Sequence, residues 1–151
     1  VYKRQDFVGI TMRHGKQHFV RALYEGIAFS LLDCIKSLSS IGAELQMAEV
    51  RIIGGGSKSK LWRQIVSDIT GLEVFKTAED DASYGAALIG GVGIGVYQSE
   101  KEAVDKCVRI VSSNHPDPGN HEKYQKLFEI YKKAQANLVE INHALHRFSE
   151  D

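Results

Sequence analysis

The stretch VRIIGGGSKS, at residues 50–59, decides the predicted fold class. Its β-branched start predicts a buried strand over residues 50–53, and the three glycines after it predict a tight turn. The Ser-Lys-Ser triplet then supplies an N-cap for a helix with one apolar face, and Gly71 is the expected C-cap of that helix. The order is therefore strand, glycine turn, helix.

The flanking sequence extends this pattern to an α/β fold. A second apolar run predicts a strand over residues 72–75, so strands alternate with a helix. Upstream, apolar residues spaced by three and four predict a helix over residues 17–40, and its wide apolar stripe predicts that it is central and mostly buried. Downstream, residues 82–97 predict a glycine-rich helix whose backbone we expect to lie close to a neighbouring helix or a ligand.

The C-terminal third is predicted to be helical on both sides of a loop. A capping box, Ser-Glu-Lys-Glu at residues 99–102, opens a helix that extends as far as Val111. Residues 114–120 hold both prolines and are predicted to form a loop. Regular apolar spacing then predicts a long amphipathic helix over residues 121–148, and the chain as a whole is predicted to be helix-rich with short strands.

The composition is that of an ordinary globular domain. The chain has 151 residues, of which 43% are apolar and 25% charged, which excludes a disordered or collagen-like chain. Nineteen Lys and Arg residues balance nineteen Asp and Glu residues, so no basic surface is predicted to bind nucleic acid or an anionic membrane. No apolar run approaches the roughly 20 residues that span a bilayer, and the first residues do not predict a leader. We therefore expect a cytoplasmic protein.

The two cysteines give no sign of metal or redox chemistry. Cys34 and Cys107 lie in predicted amphipathic helices and form no C-x-x-C pair. We expect both to be buried free thiols, and we predict no metal site in the chain.

The first five residues stand apart from the rest. Residues 1–5, Val-Tyr-Lys-Arg-Gln, have no periodicity and no cap, and they resemble the translation of a sequencing-library adaptor. We expect them to be non-native and natural sequence to begin near Asp6. The alternative is an authentic short edge strand.

The glycine turn is the strongest local sign of a ligand site. Glycines allow backbone N–H groups to approach a ligand, and the following helix start adds donors and partial positive charge. Two known glycine loops fit poorly, because the P-loop pattern is absent and the strand at residues 72–75 is not followed by the acidic residue of a dinucleotide site. The spacing by itself does not exclude a tight turn that binds no ligand.

Four motifs in order carry a resemblance to a known family. They are Gly-Ile at residues 9–10, His-Phe-x-x-Ala-Leu-Tyr-Glu-Gly-Ile-Ala-Phe at 18–29, the glycine turn with its helix at 54–71, and Gly-Ala-Ala at 85–87. Together they resemble the C-terminal part of the FGGY family of carbohydrate kinases, over roughly residues 6–145. Arg-His-Gly at residues 13–15, Leu-Trp-Arg-Gln at residues 61–64 and the tyrosine-rich C-terminal helix favour the branch that acts on ketopentoses such as xylulose. Gluconate, ribulose and glycerol kinases share much of the pattern.

The resemblance implies a ribonuclease-H-like lobe of the actin, Hsp70 and hexokinase type, with ATP in the cleft between two lobes. Residues 6–151 would be the C-terminal portion of the ATP-binding domain. The glycines would form the turn over the adenosine, the two serines would reach adenine or ribose, and the glutamate would face the ribose. The residues assigned to the ATP site in this way are Gly54, Gly55, Gly56, Ser57, Ser59 and Glu25.

The resemblance also implies what this chain does not contribute. The general base of the family is an aspartate of the first lobe, and the loop that holds the β- and γ-phosphates precedes the part that resembles this chain. We therefore expect no catalytic residue in residues 1–151, with Mg²⁺ bound mainly through the phosphates, and we expect the chain alone to be inactive. A small-molecule sugar and ATP are the expected partners.

Three questions stay open at the level of sequence. A non-catalytic ATP-binding module of the actin or Hsp70 type is the main alternative to a sugar kinase. A dinucleotide-binding domain is the other alternative. The glycine-rich and C-terminal helices are expected to expose apolar surface, which is compatible with a homodimer. The sequence decides neither the sugar nor the oligomeric state.

Overall fold

The computed structural model describes residues 6–40, 49–79 and 81–148. Residues 1–5, which the sequence predicts to be non-native, lie outside them. Five α-helices, three strands and one short 3₁₀ helix occupy these ranges. Their bounds are α1 Lys16–Ser40, β1 Glu49–Ile52, the 3₁₀ helix Gly55–Lys58, α2 Lys60–Thr70, β2 Glu73–Thr77, α3 Ala82–Gly93, α4 Glu100–Cys107, β3 Ile110–Asn114 and α5 Pro118–Phe148.

The three strands form one small mixed sheet in the order β1-β2-β3. β1 and β2 are parallel, with Val50 opposite Val74, and are connected through the glycine turn and α2. β3 runs antiparallel to β2, with an irregularity in register after Lys76. The predicted α/β class, with many helices and short strands, is therefore confirmed.

Helices α1, α2 and α5 pack together with β2 around a single hydrophobic core. Three of the most buried residues of this core belong to α2, because the apolar residues of α2 recur on one face of the helix. Aromatic rings join α1 to α5, with the Phe29 centroid 6.0 Å from Tyr124 and 5.8 Å from Phe128. The core comprises Ala28, Phe29, Leu32, Ile65, Val66, Ile69, Val74, Tyr124 and Phe128.

Local capping interactions set the ends of α2 where the sequence predicts them. Ser59 Oγ accepts a hydrogen bond from the Trp62 N–H at 3.2 Å, which satisfies one of the free donors at the helix start. Gly71 has φ +73°, a left-handed conformation that ends the helix at little cost only for glycine. Its N–H donates to the Ser67 carbonyl at 2.9 Å.

The predicted boundaries of the C-terminal elements are wrong in two places. The helix that starts at Glu100 ends at Cys107, and Val111 lies in β3 instead. The loop is correspondingly shorter, since α5 begins at Pro118, which suits a first helical position because it has no N–H to satisfy. The apolar residues of β3 matched a helical period, and pairing with β2 decided their conformation.

Burial also differs from the prediction for two helices and both cysteines. Helix α1 buries only Ala28, Phe29 and Leu32, while most of the wide apolar stripe that the sequence showed is exposed or half-buried. Helix α3 has no buried residue and ends at Gly93, before the predicted end. Cys34 is exposed and Cys107 is half-buried, so neither is the buried thiol that we expected. Within the described ranges no helix is long and apolar enough to cross a membrane.

Candidate functional site

The glycine turn connects the end of β1 to the start of α2 and lies at the surface. Gly54, Gly55 and Gly56 are exposed, and the Ser57 N–H closes the turn by donating to the Gly54 carbonyl at 3.0 Å. Gly54 has φ +76°, which strongly favours glycine at this position. The turn therefore presents backbone to the outside of the fold with few side-chain atoms in the way.

Within the glycine turn, Gly55 is the residue whose identity is not explained by packing or by a positive φ. A Cβ atom added at Gly55 would meet nothing within 4 Å, and its φ does not lie in the left-handed region. Gly56 differs, because a Cβ there would lie 3.0 Å from Nε1 of the Trp62 ring. The space over Gly55 is open, so a molecule could approach the backbone closely at this position.

The two serines of the predicted site occupy different environments. Ser57 is fully buried. Its carbonyl accepts a hydrogen bond from the guanidinium of Arg63. Ser59 is half-buried, and its Oγ already accepts the capping hydrogen bond from Trp62, so its hydroxyl proton remains the group that it could offer to a ligand. Ser57 therefore belongs to the base of the turn, while Ser59 lies at its edge.

An open groove of about 470 Å³ lies where the start of α1 meets the start of α2. Leu61 of α2 lines it from one side and Tyr24 of α1 from the other. The Tyr24 and Trp62 rings are 5.6 Å apart, and the Trp62 ring also reaches Gly56. Aromatic and apolar side chains thus extend from the glycine turn toward this groove, which is the kind of lining that planar ligands use.

Glu25 lies in a hydrogen-bonded cluster between α1 and α5. Its Oε1 accepts from Arg21 Nε at 2.6 Å and from the Tyr124 hydroxyl at 2.7 Å, and Arg21 also donates to the Tyr124 oxygen at 2.6 Å. Burial raises the pKa of the Tyr124 phenol, and the hydrogen bond to Glu25 adds to the rise. Burial lowers the pKa of Arg21, but the hydrogen bonds to Glu25 and Tyr124 outweigh it, so this pKa is raised.

This arrangement gives Glu25 a role that the sequence did not reveal. The glutamate holds α1 to α5 through Tyr124, a residue 99 positions away. Only the helical spacing of Arg21 and Glu25, an i,i+4 pair, was visible in the sequence as a sign of an ion pair. No sequence pattern indicated that Tyr124 joins them.

A polar cluster beneath the glycine turn was also missed by sequence reasoning. Arg63, in the first turns of α2, is 6% exposed and donates from Nε to Oδ1 of Asn114, the last residue of β3, at 3.0 Å. It thereby connects the base of the turn to the end of the sheet. Its position inside an amphipathic helix was the only signal, and a charged residue there is usually assigned to solvent.

The described ranges contain no group of three or more His, Cys, Asp and Glu side chains placed to hold a metal ion. The acidic residue nearest to the predicted glycine-rich helix, Asp81, instead caps α3 by accepting from the Ser83 N–H at 2.8 Å. Hydrogen bonding from the Ser83 side chain, and then from its backbone N–H, lowers the pKa of Asp81. The carboxylate is therefore occupied in satisfying a free N–H group at the start of the helix.

Comparison with known proteins identifies the family. The sequence profile of the C-terminal domain of the FGGY family of carbohydrate kinases matches residues 3–94. This chain belongs to the FGGY family. The glycine turn, α2 and all of α3 lie inside the matched FGGY region.

Individual relatives agree with this assignment. The FGGY chain is 32% identical to the xylulose kinase of Bacillus subtilis over 149 residues, which is 98% of this chain and 30% of that protein. It superposes with a TM-score of 0.81 on a ligand-bound xylulose kinase from Lactobacillus acidophilus at 26% identity, covering 95% of this chain and 29% of that one. A glycerol kinase from Plasmodium falciparum with ADP has a TM-score of 0.70 at 30% identity, covering 87% of this chain and 26% of that one.

Two statements follow for this FGGY chain. Its fold is that of the FGGY sugar kinases, so the predicted ribonuclease-H-like class is confirmed. The chain spans 30% of the length of the B. subtilis relative, so the activity of a whole kinase does not follow from these residues alone.

Proposed function

We propose that this chain forms part of the ATP site of a sugar kinase that converts D-xylulose and ATP to xylulose 5-phosphate and ADP. The observation that carries the proposal is the open space over Gly55, in a turn that lies within the FGGY match. The chain's own packing does not require glycine at position 55, whereas close approach of a nucleotide would. The similarity to a P. falciparum glycerol kinase whose structure is described with ADP supports a nucleotide as the ligand.

The chain's residues would act by binding and orienting the nucleotide. The turn at Gly54, Gly55 and Gly56 would lie against the adenosine, with the hydroxyl of Ser59 at its edge and Ser57 supporting the turn from below. Glu25 would act on the ribose side only through the position of α1, since its carboxylate is shared by Arg21 and Tyr124. ATP supplies the phosphoryl group, and Mg²⁺ would be held through its phosphates, which carry the charge that the reaction must stabilise.

The choice of D-xylulose rests on the names of relatives. The B. subtilis and L. acidophilus proteins are xylulose kinases, while the P. falciparum protein is a glycerol kinase. Another FGGY sugar kinase is therefore the first alternative, and a non-catalytic ATP-binding module is the second. The proposal further places the enzyme in the cytoplasm, and it leaves a homodimer to be tested by sedimentation.

A glycine substitution tests the nucleotide site. In the full-length protein, Gly55→Val should place a side chain in the nucleotide's space and weaken ATP binding by about tenfold or more, which corresponds to at least about 1.4 kcal/mol of binding free energy. Isothermal titration with ATP and with NAD measures this. Gly119→Val is the matched control, because position 119 is an exposed glycine at the start of α5 and its added Cβ would meet only Asp117 Oδ1 at 3.4 Å.

The outcomes separate the alternatives. Equal ATP affinity for wild type and a folded Gly55→Val variant would show that the turn is structural only. Preference for NAD over ATP would overturn the kinase assignment. Steady-state assays with D-xylulose, gluconate, ribulose and glycerol then compare kcat/KM, and a value for another sugar above that for D-xylulose would reassign the substrate within the family.

A further inference from the structure

Arg63 is a buried cation whose partners are neutral groups. Its guanidinium donates to the Ser57 carbonyl and to Asn114 Oδ1, and among the described residues no carboxylate forms an ion pair with it. A buried charge is costly unless its hydrogen bonds are satisfied. A buried arginine in an amphipathic helix, without an ionic partner in the described part of the chain, needs an explanation beyond general stability.

Two side-chain amides connect Arg63 to a buried anion on the same helix. Asn114 Nδ2 donates to Gln64 Oε1 at 2.9 Å, and Gln64 Nε2 donates to Asp68 Oδ1 at 2.7 Å. Asp68 is 2% exposed and also accepts from the Asp117 N–H at 2.9 Å. The cation therefore lies beneath the glycine turn and the anion beneath the start of α5, with polarised amides between them.

Arg63, at one end of this network, restrains the end of the glycine turn. Glycine backbone samples more conformations than any other residue, so a turn with three in succession loses more entropy when it is fixed. The Ser57 N–H is bonded to Gly54 and its carbonyl to Arg63, so the peptide groups at the end of the turn are held from both sides. A turn fixed before the ligand arrives binds more tightly, because less ordering remains to be done.

We propose that Arg63 is a positioning residue that holds the glycine turn in the shape that accepts the nucleotide; the part concerning the nucleotide rests on the proposed function. Its planar fork donates to two acceptors at once, one on the turn and one on β3. Lysine carries the same charge on a flexible stem and cannot reproduce this geometry. Arg63 therefore acts through Ser57 and does not touch the nucleotide itself.

The test compares three variants of the full-length protein. Arg63→Lys keeps the charge and loses the fork, and Asn114→Ala removes one of its two acceptors. Asp68→Asn is the matched control, because it disturbs the opposite end of the same network and is also expected to lower stability. Circular dichroism and thermal unfolding first establish that each variant is folded at the working temperature.

Hydrogen exchange without nucleotide is the first measurement. Arg63→Lys should speed amide exchange at residues 54–59 by about tenfold, the effect expected from losing a hydrogen bond to a charged group, and Asn114→Ala should have a smaller effect. Asp68→Asn should leave residues 54–59 at the wild-type rate and speed exchange at residues 117–121. Equal exchange at residues 54–59 in all three variants would overturn the positioning role.

ATP titration of the same proteins is the second measurement. Arg63→Lys should raise the Kd for ATP by about tenfold, while Asp68→Asn should leave it within about twofold of wild type. Equal weakening by both variants would show that Arg63 acts only through global stability. Failure of wild type to bind ATP would overturn the proposed function, and the exchange result would still decide whether Arg63 positions the turn.

Discussion

At the scale of single residues, Gly71 shows how one backbone angle aligns two helices. Its left-handed conformation ends α2, and the space where a Cβ would lie is filled by the His121 ring of α5, with Cε1 at 2.6 Å. His121 Nδ1 donates to the Asp68 carbonyl at 2.8 Å, which satisfies an acceptor near the end of α2. The glycine is required both by its φ and by its neighbour.

Gly71→Ala should therefore destabilise the protein. The left-handed conformation alone costs a non-glycine residue about 1–2 kcal/mol, and displacement of the His121 ring adds to it. Urea unfolding followed by circular dichroism measures the loss.

Gly90→Ala is the control for this prediction. Gly90 lies inside α3 with open space at its Cβ position, so alanine should stabilise the helix by about 0.5–1 kcal/mol. A loss of stability at Gly90 as large as that at Gly71 would contradict the explanation by local geometry.

At the scale of elements, α1 and α5 are joined by both apolar and polar contacts. Phe29 of α1 packs against the aromatic rings of α5, with the Tyr131 centroid 5.3 Å away. The polar contact is the cluster of Arg21, Glu25 and Tyr124, which lies beside the core. The aromatic core supplies the burial that stabilises the pair, and the polar cluster fixes their alignment.

The raised pKa of Tyr124 predicts a loss of stability at alkaline pH. The phenol keeps its proton in the folded protein to a higher pH than in the unfolded chain, where its pKa is about 10. Above that pH the folded state binds more protons, so stability falls as the pH rises through the folded pKa. The free energy of unfolding from urea titrations between pH 8 and 11 should show this fall.

Tyr124→Phe identifies the group responsible. The variant should be less stable than wild type by about 1 kcal/mol at pH 8, because Arg21 and Glu25 lose a hydrogen-bond partner. The difference in the free energy of unfolding between wild type and Tyr124→Phe should become smaller toward pH 11. Parallel curves over this range would exclude Tyr124 as the titrating group.

At the scale of the whole molecule, much apolar surface lies outside the core. Ile89, Ile94 and Val96, in and just after α3, are between 63% and 82% exposed. Contiguous apolar surface is typical of interaction faces, and we expect these three residues to contribute to one. The chain also spans only 30% of the length of the B. subtilis relative, and we expect the proposed kinase site to use residues that this chain does not contain.

The 151-residue chain by itself should therefore show no sugar phosphorylation. Phosphoryl transfer depends on holding donor, acceptor and metal in line, and the proposed part of the site binds only the nucleotide's adenosine end. A coupled ADP-release assay with D-xylulose compares the chain with the full-length protein. Turnover by the chain alone would place catalytic residues within residues 1–151 and contradict the proposal.

The sequence by itself was sufficient where interactions are local. Ser59 and Gly71 act on neighbours three or four positions away, so their caps and the helix between them could be predicted. The order of strand, turn and helix, and the family resemblance of the glycine turn, followed from the same short stretch. The positive φ of Gly54 is also a local requirement, because it belongs to the tight turn that the Ser57 N–H closes three positions later.

Tertiary structure decided everything that depends on residues far apart in the chain. The conformation of residues 110–114 depends on pairing with β2, and the environment of Glu25 depends on Tyr124, 99 positions away. The burial of Arg63 likewise required Asn114, 51 positions away. Periodicity reports only which face of an element is apolar, whereas pairing and burial depend on which other elements reach that face.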